Sequence, residues 1–276
     1  MLRMAALKSF LFILVFCLVT GCTDDSKEDL QPDTDNTEQS ISNDNNNITE
    51  KQKELIVGIS PDNMPFEFVH NSQIVGFDID LINSIAKKLK MKFIIRDMQF
   101  YLIIPSLKNG DIHVAISGIS ETPERAAVID FSTPYYHDNF VILSLNNLDP
   151  NKPRQDGMKI GVQTGTLMHQ WIMEQNVQVD TITKFDIITM DSNSTLIEEL
   201  KNRKLDGILM DQITASSISK SSLEIPMIVN DLKGVNRTAR SIGLQKDDPL
   251  LEQINSAINE LHTTGELNKM KKEWGL

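Results

Sequence analysis

The chain has 276 residues, a formal net charge of −11 and two cysteines. This acidity argues against nucleic acid as a partner, because a phosphate backbone is bound through lysine and arginine. The residues from 54 onward are enough for one large domain or two modest lobes.

The first 21 residues predict a targeting segment that is removed. Arg3 and Lys8 precede an apolar run, Phe10–Val19, that is too short to span a bilayer comfortably. We expect Cys17 to leave with this segment, so that Cys22 would be the only cysteine of the mature chain and no intrachain disulfide could form.

Cys22 directly follows a small residue at the end of the apolar run, which resembles the lipobox of bacterial lipoproteins. The resemblance implies cleavage before Cys22 and acyl chains, such as palmitate, on that residue. An ordinary secretory signal with a chance cysteine is the alternative. The sequence shows no second stretch of membrane-spanning length, so we expect a protein anchored to the cell envelope, facing the periplasm or the cell surface.

Residues 22–53 predict a flexible tether. They are rich in Asp, Asn, Ser, Thr and Glu and contain almost no apolar side chains. Such a composition buries too little surface to become ordered, and its like charges repel each other.

The first half of the remaining chain alternates between strand and helix patterns. Apolar residues at helical spacing from Leu81 to Leu89 indicate an amphipathic helix that begins near Gly76. We predict strands at Glu54–Ser60, Lys92–Arg96 and Ile112–Ile116, and a second helix at Tyr101–Lys108.

The pattern restarts after Tyr136. We predict strands at Asn139–Leu145, Lys159–Gln163, Leu205–Met210, Pro226–Asn230 and Arg240–Leu244, and helices over 164–175, over 192–203, after Asp247 or Asp248, and up to Trp274. Two runs of alternating elements predict an α/β fold in two lobes. The late strand would return the chain to the first lobe.

The segment Gly110–Tyr136 contains a candidate carboxylate site. A short apolar strand leads into Ser117, Gly118 and Ser120, and Arg125 follows one turn later. Hydroxyls, open backbone amides and a forked guanidinium at the carboxyl end of a strand suit a carboxylate. A serine-rich turn beside a surface arginine is the alternative.

Several further motifs lie in order along the chain. They are Pro65–Glu67, Gly76–Leu81, Ile104–Leu107, Ser120–Arg125, Phe131–Tyr136, Val162–Thr166, Leu205–Asp211 and Gly265–Leu276. Together they resemble the polar amino-acid-binding proteins of bacterial ABC importers, the family 3 extracellular solute-binding proteins. Arginine-binding lipoproteins are the nearest likeness within that family.

The resemblance implies a two-lobed periplasmic-binding-protein fold of type II, a venus-flytrap with two hinge crossings. Lobe 1 would comprise 54–138 and 233–276, and lobe 2 would comprise 139–232. It implies a monomer without cofactor or catalytic residues, which binds an amino acid in the cleft and delivers it to an ABC permease in the inner membrane.

The resemblance also assigns residue roles at the two ends of a zwitterion. Arg125 and Ser120 would bind the α-carboxylate, and Ser117 and Gly118 would face the amine. Asp211 would neutralise the α-ammonium. Its alternative role is to cap the helix that follows it.

Three further elements would complete the cleft. Thr166 and Leu167 begin a helix whose free N–H groups favour an anion, although a routine helix cap is the alternative. Gln163 would point toward the ligand side chain. Phe100 would pack on that side chain, or would be a core residue.

Two positions depart from the basic-ligand members of the family. Those members usually carry an acid at the position of Ser60 and often an aromatic at that of Asn63. With Gln163, these residues favour a neutral polar ligand such as glutamine. A basic ligand would need another acid, for which Asp62 and Glu67 are the candidates, since an unpaired charge in a closed cleft is costly.

Other classes of function find less support. The five histidines show no metal-ligand spacing, and no serine nucleophile motif is present. Two alternatives stay open: an enzyme on the same scaffold, similar to cyclohexadienyl dehydratase, and a ligand sensor or interaction lipoprotein.

Overall fold

The computed structural model describes residues 54–148, 157–178, 185–232 and 238–276. All of them belong to one compact unit, residues 50–276. The predicted signal segment, Cys22, the tether and residues 233–237 lie outside the described residues.

The described residues form strands and helices in alternation. The strands are β1 Glu54–Ile59, β2 Asp62–Asn63, β3 Glu67–His70, β4 Gln73–Val75, β5 Lys92–Asp97, β6 Val114–Ala115, β7 Ile129–Phe131, β8 Tyr136–Asp138, β9 Phe140–Ser144, β10 Lys159–Gln163, β11 Asp186–Met190, β12 Gly207–Asp211, β13 Ile228–Asp231, β14 Thr238–Arg240 and β15 Gly243–Gln245. The helices are α1 Phe77–Leu89, α2 Phe100–Asn109, α3 Pro123–Ala126, α4 Leu167–Gln178, α5 Asn193–Lys201, α6 Gln212–Ser221, α7 Leu250–Thr263 and α8 Glu266–Glu273.

Lobe 1 is built on a five-stranded sheet in the order β5-β1-β6-β15-β7. Strand β1 pairs in parallel with β5 and β6, whereas β15 is antiparallel to β6 and β7. The chain therefore inserts a strand from its C-terminal part into the sheet formed by its N-terminal part. Helices α1 and α7 pack together beside this sheet, and their apolar stripes belong to one buried core.

Lobe 2 is built on a second five-stranded sheet, in the order β11-β10-β12-β9-β13. Strand β10 is parallel to β11 and β12, and β9 is antiparallel to β12 and β13. Each sheet is thus mostly parallel with one reversed strand inside it. Alternation of strands and helices is typical of a parallel sheet and does not predict the reversed strand.

Two short strands connect the sheets. Strand β8 leads from lobe 1 into lobe 2, β14 leads back, and the two form an antiparallel ladder from Tyr136↔Arg240 to Thr238↔Asp138. The prediction of one late strand over Arg240–Leu244 was wrong. The chain leaves the ladder after Arg240 and pairs again only from Gly243, because it changes sheets between them.

The sequence patterns missed some short elements. Strands β2, β3 and β4 form a separate antiparallel meander that packs on α1. Within the described ranges, no helix is both long and apolar enough to cross a bilayer.

Candidate functional site

The carboxyl ends of the parallel strands of both sheets face one cleft. This is where an open α/β sheet places its ligands, because loops diverge there and backbone N–H groups become available. The lining residues are Asp62, Asn63, Glu67, Phe100, Ser117, Gly118, Ser120, Arg125, Gln163, Thr166, Leu167, Met168, Asn193, Met210, Asp211 and Thr214. The cleft has a volume of about 490 Å³, part of which is open to solvent.

The structure brings ten of the eleven predicted ligand-binding residues into this lining. Ser60 is the exception. It is buried at the end of β1, where its backbone N–H donates to Ser117 Oγ over 3.0 Å. A ligand role for any of them stays a prediction.

Arg125 joins the two lobes across the cleft. It lies on α3, whose first turn is capped by the Thr122 side chain. Its Nη1 donates to the Ser120 carbonyl over 2.7 Å, and its Nη2 donates to the Gly165 carbonyl of lobe 2 over 2.8 Å. Burial lowers the pKa of Arg125 to about 10, so the guanidinium is charged at neutral pH. Its Cζ lies 6.0 Å from the centre of the Phe100 ring.

Asp211 ends β12 and lines the cleft from lobe 2. It stands at the N-cap position of α6, but its side chain makes no capping hydrogen bond. Its Oδ2 instead lies 2.8 Å from Arg240 Nη2. The helix-cap alternative for this side chain therefore finds no support in the geometry.

Arg240 is a functional candidate that the sequence patterns did not indicate. It is 1% exposed, lies on the connecting strand β14 and pairs with Asp211 and, at 3.6 Å, with Asp138 of strand β8. Its Cζ lies 3.7 Å above the Phe66 ring, which suits a cation. Burial alone would lower the pKa of Arg240, but Asp211 and the other nearby acidic groups raise it above its usual value.

Two buried acids support the cleft loop from below. Glu67 Oε1 accepts hydrogen bonds from Ser117 Oγ at 2.9 Å and Asn63 Nδ2 at 3.1 Å. Asp78 Oδ2 accepts from Gly118 N at 3.3 Å. Burial, and then their mutual repulsion, raises the pKa of Glu67 well above its usual range.

Asp62 reaches across the cleft from lobe 1. Its Oδ2 accepts from Asn193 N at 2.7 Å and from Gln163 Nε2 at 3.2 Å. Asn193 is the first residue of α5, so the carboxylate lies at the positive end of that helix. Burial raises the pKa of Asp62 to about 6, because these neutral donors only partly compensate the lost hydration.

Thr166 precedes α4 and has two local partners. Its Oγ1 donates to the Gln163 carbonyl at 2.8 Å and accepts from His169 N at 3.2 Å. The hydroxyl thus serves as a helix cap, while Leu167 and the backbone at the start of α4 stay at the cleft surface. In the part of the chain that the structure describes, no cluster of His, Cys, Asp or Glu could hold a metal ion.

Two mixed α/β lobes, two connecting strands and a cleft lined from both sides define the class as a two-lobed periplasmic-binding-protein fold, as predicted. The profile of the bacterial extracellular solute-binding proteins, family 3, matches residues 55–276. The chain belongs to that family. The resemblance to amino-acid-binding proteins of bacterial ABC importers is confirmed.

Similar proteins bear names of amino-acid-binding proteins. The arginine-binding extracellular protein ArtP of Bacillus subtilis is 32% identical over 227 residues, which cover 81% of this chain and 86% of that protein. A probable histidine-binding protein of Campylobacter jejuni is 33% identical over 225 residues, or 80% and 85% of the two chains. An ancestral arginine-binding protein bound to glutamine superposes with a TM-score of 0.72 at 30% identity, covering 81% of this chain and 98% of that one.

Proposed function

We propose that this protein is the substrate-binding protein of an amino-acid ABC importer and that it binds a polar L-amino acid between its lobes. The observation that carries the proposal is Arg125, a partly buried cation that lies in a cleft lined by residues of both lobes and donates to both. The ligand would then pass to a permease in the inner membrane. No chemistry on the ligand is part of this function.

Arg125 would bind the α-carboxylate. Its two terminal nitrogens now donate to two separate backbone carbonyls, at Ser120 and Gly165. A carboxylate offers two charged oxygens to the same fork and forms stronger, charge-assisted hydrogen bonds. Ser120 and the amides of Thr166 and Leu167 would complete this end of the site.

Asp211 would bind the α-ammonium, with Ser117 and Gly118 beside it. Only Oδ2 of Asp211 is engaged by Arg240 in the structure, and a carboxylate has lone pairs on both oxygens. An ammonium and Arg240 can therefore share this carboxylate. Phe100, Asn63 and Gln163 are proposed to surround the ligand side chain, with Ser60 buried behind the lining.

We propose lobe boundaries at 54–138 with 233–276, and at 139–232, and a monomeric protein. The N-terminal part would be a signal segment of residues 1–21, a lipidated Cys22 and a tether to residue 53. Mass spectrometry of the mature protein tests the anchor. We expect an acylated N-terminal cysteine and loss of membrane association in Cys22→Ala. An unmodified N-terminus elsewhere would contradict the lipid anchor and leave the binding function untouched.

Ligand binding is tested by a thermal-shift screen of the common amino acids, followed by calorimetry. A ligand at 100 times its Kd stabilises the folded protein by about 2.7 kcal/mol, which such a screen detects. We expect Arg125→Ala to weaken the best ligand by about 2–5 kcal/mol, or roughly 30- to 4000-fold, because a charged partner is lost.

The matched control is Arg96→Ala. Arg96 also donates to a backbone carbonyl, that of Asp111, but it is exposed and outside the cleft. We expect the Arg96→Ala variant to bind the ligand with the affinity of the unmodified protein. If a folded Arg125→Ala variant binds as tightly as Arg96→Ala, the carboxylate role is wrong. If the folded protein binds none of the amino acids, the proposed function is wrong.

A further inference from the structure

Three carboxyl groups line the cleft, and their surroundings differ. Asp211 is paired with the buried guanidinium of Arg240 at 2.8 Å. Glu67 is fully buried, and its Oε1 already accepts hydrogen bonds from Ser117 Oγ at 2.9 Å and Asn63 Nδ2 at 3.1 Å. Asp62 is only partly buried, and no cation among its described neighbours balances its negative charge.

The partners of Asp62 carry no net charge. Both are groups of lobe 2, the backbone N–H of Asn193 at 2.7 Å and the amide of Gln163 at 3.2 Å. Among the described residues, no lysine, arginine or histidine forms an ion pair with Asp62. Lys201 and Asp62 both line a neighbouring groove, but Lys201 forms no ion pair with Asp62. The negative charge of Asp97 repels that of Asp62.

The cations of the cleft are already committed. Arg240 lies below the lining, against Asp211 and Asp138. Arg125 is the cation of the proposed carboxylate site. A neutral ligand would therefore leave Asp62 as an uncompensated charge in a closing, drying cleft, which is costly.

Asp62 still has room to accept a ligand donor. Both of its lobe 2 partners reach Oδ2. An ionised carboxylate offers about four lone-pair sites on two oxygens. Gln163, which is proposed to face the ligand side chain, donates to Asp62 and lines the same cleft, so Asp62 would lie at the side-chain end of the site.

We propose that Asp62 is the specificity-determining residue and that it selects an L-amino acid with a cationic side chain, a guanidinium or an ammonium. This inference rests on the proposed function, since it needs the zwitterion to be held by Arg125 and Asp211. Asp62 would replace the acid that basic-ligand members carry at the position of Ser60. The proposed ligand is then a basic amino acid and not any polar one.

The test compares ligands that differ mainly in charge. Calorimetry is run with L-arginine against its neutral near-isostere L-citrulline, and with L-lysine against L-norleucine. In the unmodified protein we expect at least one cationic member to bind about 30-fold or more tightly than its neutral partner, as for a desolvated charge pair. This comparison needs no variant and so does not depend on the folding of one.

The variant Asp62→Asn keeps the size of the side chain and removes its charge. We expect it to reduce the preference for the cation at least tenfold, mainly by weakening the cationic ligand. Asp97→Asn is the control, because Asp97 is an exposed acid near Asp62 that does not line the cleft. We expect it to keep the preference within about threefold. Circular dichroism verifies that both variants are folded.

The outcomes separate this inference from the function beneath it. Equal or tighter binding of the neutral ligands overturns the role of Asp62 and leaves amino-acid binding intact. A folded Asp62→Asn variant that keeps the full cationic preference also overturns it. Failure of every amino acid to bind, with Arg125→Ala indistinguishable from the unmodified protein, contradicts the proposed function, and the role of Asp62 falls with it.

Discussion

Arg240 is a positive charge held where almost no solvent reaches it. Its pairing with Asp138 and Asp211, and its contact with Phe66, connect both lobes at the hinge ladder. Removal of one partner from a buried ion pair leaves the other charges uncompensated, which is strongly destabilising. The acids Asp138 and Asp211 would then face each other without a cation between them.

We therefore expect Arg240→Gln to lower the free energy of unfolding by about 3–5 kcal/mol, measured by urea denaturation. The control is Lys246→Gln, since Lys246 pairs with Asp130 over 2.6 Å but is 44% exposed. For such a surface pair the expected loss is about 0–1 kcal/mol. Equal stability of the two variants would show that the Arg240 cluster does not stabilise the fold.

Sequence reasoning found the cleft arginine but not the hinge arginine, for a physical reason. Arg125 follows a strand end and a serine-rich loop, and those are local signals of a binding site. Arg240 begins the strand predicted at Arg240–Leu244, where no local motif indicates a binding site, and its acidic partners are far away in sequence. Only the strand ladder brings Asp138 next to it.

The loop that follows β6 depends on a glycine. Gly118 has a φ of +61°, and a Cβ there would overlap Arg240 Nη1 and lie 3.2 Å from Asn63 Nδ2. The absence of a side chain thus allows the cleft loop to lie directly on the buried guanidinium. The loop, the cation and the acids beneath it form one packed unit.

We expect Gly118→Ala to destabilise the protein by more than the roughly 1–2 kcal/mol that left-handed backbone costs an L-residue, and to weaken ligand binding. Gly265→Ala is the matched control, because Gly265 has a φ of +80° but has no other atom within 4 Å of the added Cβ. Urea denaturation measures the loss of unfolding free energy in both variants, and the difference between the two losses is the steric cost of the added Cβ at Gly118. If Gly118→Ala is no less stable than Gly265→Ala, the close packing against Arg240 is not a constraint.

At the scale of elements, long apolar periods were predictable and short strands were not. Strand β10 was predicted at Lys159–Gln163, where the structure has it, because β-branched Ile160 and Val162 lie just before the predicted helix start at Thr164. The meander β2–β4 was missed, since strands of two to four residues carry too little pattern. The split of the late strand into β14 and β15 reflects a change of sheet, which no local periodicity records.

At the scale of the whole molecule, alternation of strands and helices predicted two lobes because each βα run can form its own sheet. This alternation could not predict the reversed strands β9 and β15, since strand order and direction are decided by long-range pairing. The distribution of charge in the cleft could not be predicted from the sequence either. Asp62 could be named as a candidate from sequence, but its approach to α5 depends on how the lobes meet.

The buried acids give the whole molecule a pH dependence of a definite sign. Burial is the main cause that raises the pKa of Asp62 and of Asp138 to about 6 each. Between the ordinary carboxyl pKa near 4 and this value, the folded chain binds more protons than the unfolded chain. The contribution of these two acids to the free energy of unfolding therefore rises as pH falls through 6, and it is constant above about pH 7.

We expect the ligand-free protein to gain about 1 kcal/mol from each of these two acids when pH is lowered from 7.5 to 5, measured by urea denaturation at each pH. Asp62→Asn should lose its part of this gain, because Asn does not titrate. The exposed Asp186 supplies the control, and Asp186→Asn should keep the full gain. Lys246 lowers the pKa of the surface acid Asp130, so Asp130 makes the free energy of unfolding fall as pH falls. This effect lies below about pH 4, outside the range tested. A stability that falls steadily from pH 7.5 to 5 would mean that Asp62 and Asp138 are not held in the desolvated surroundings from which this sign follows.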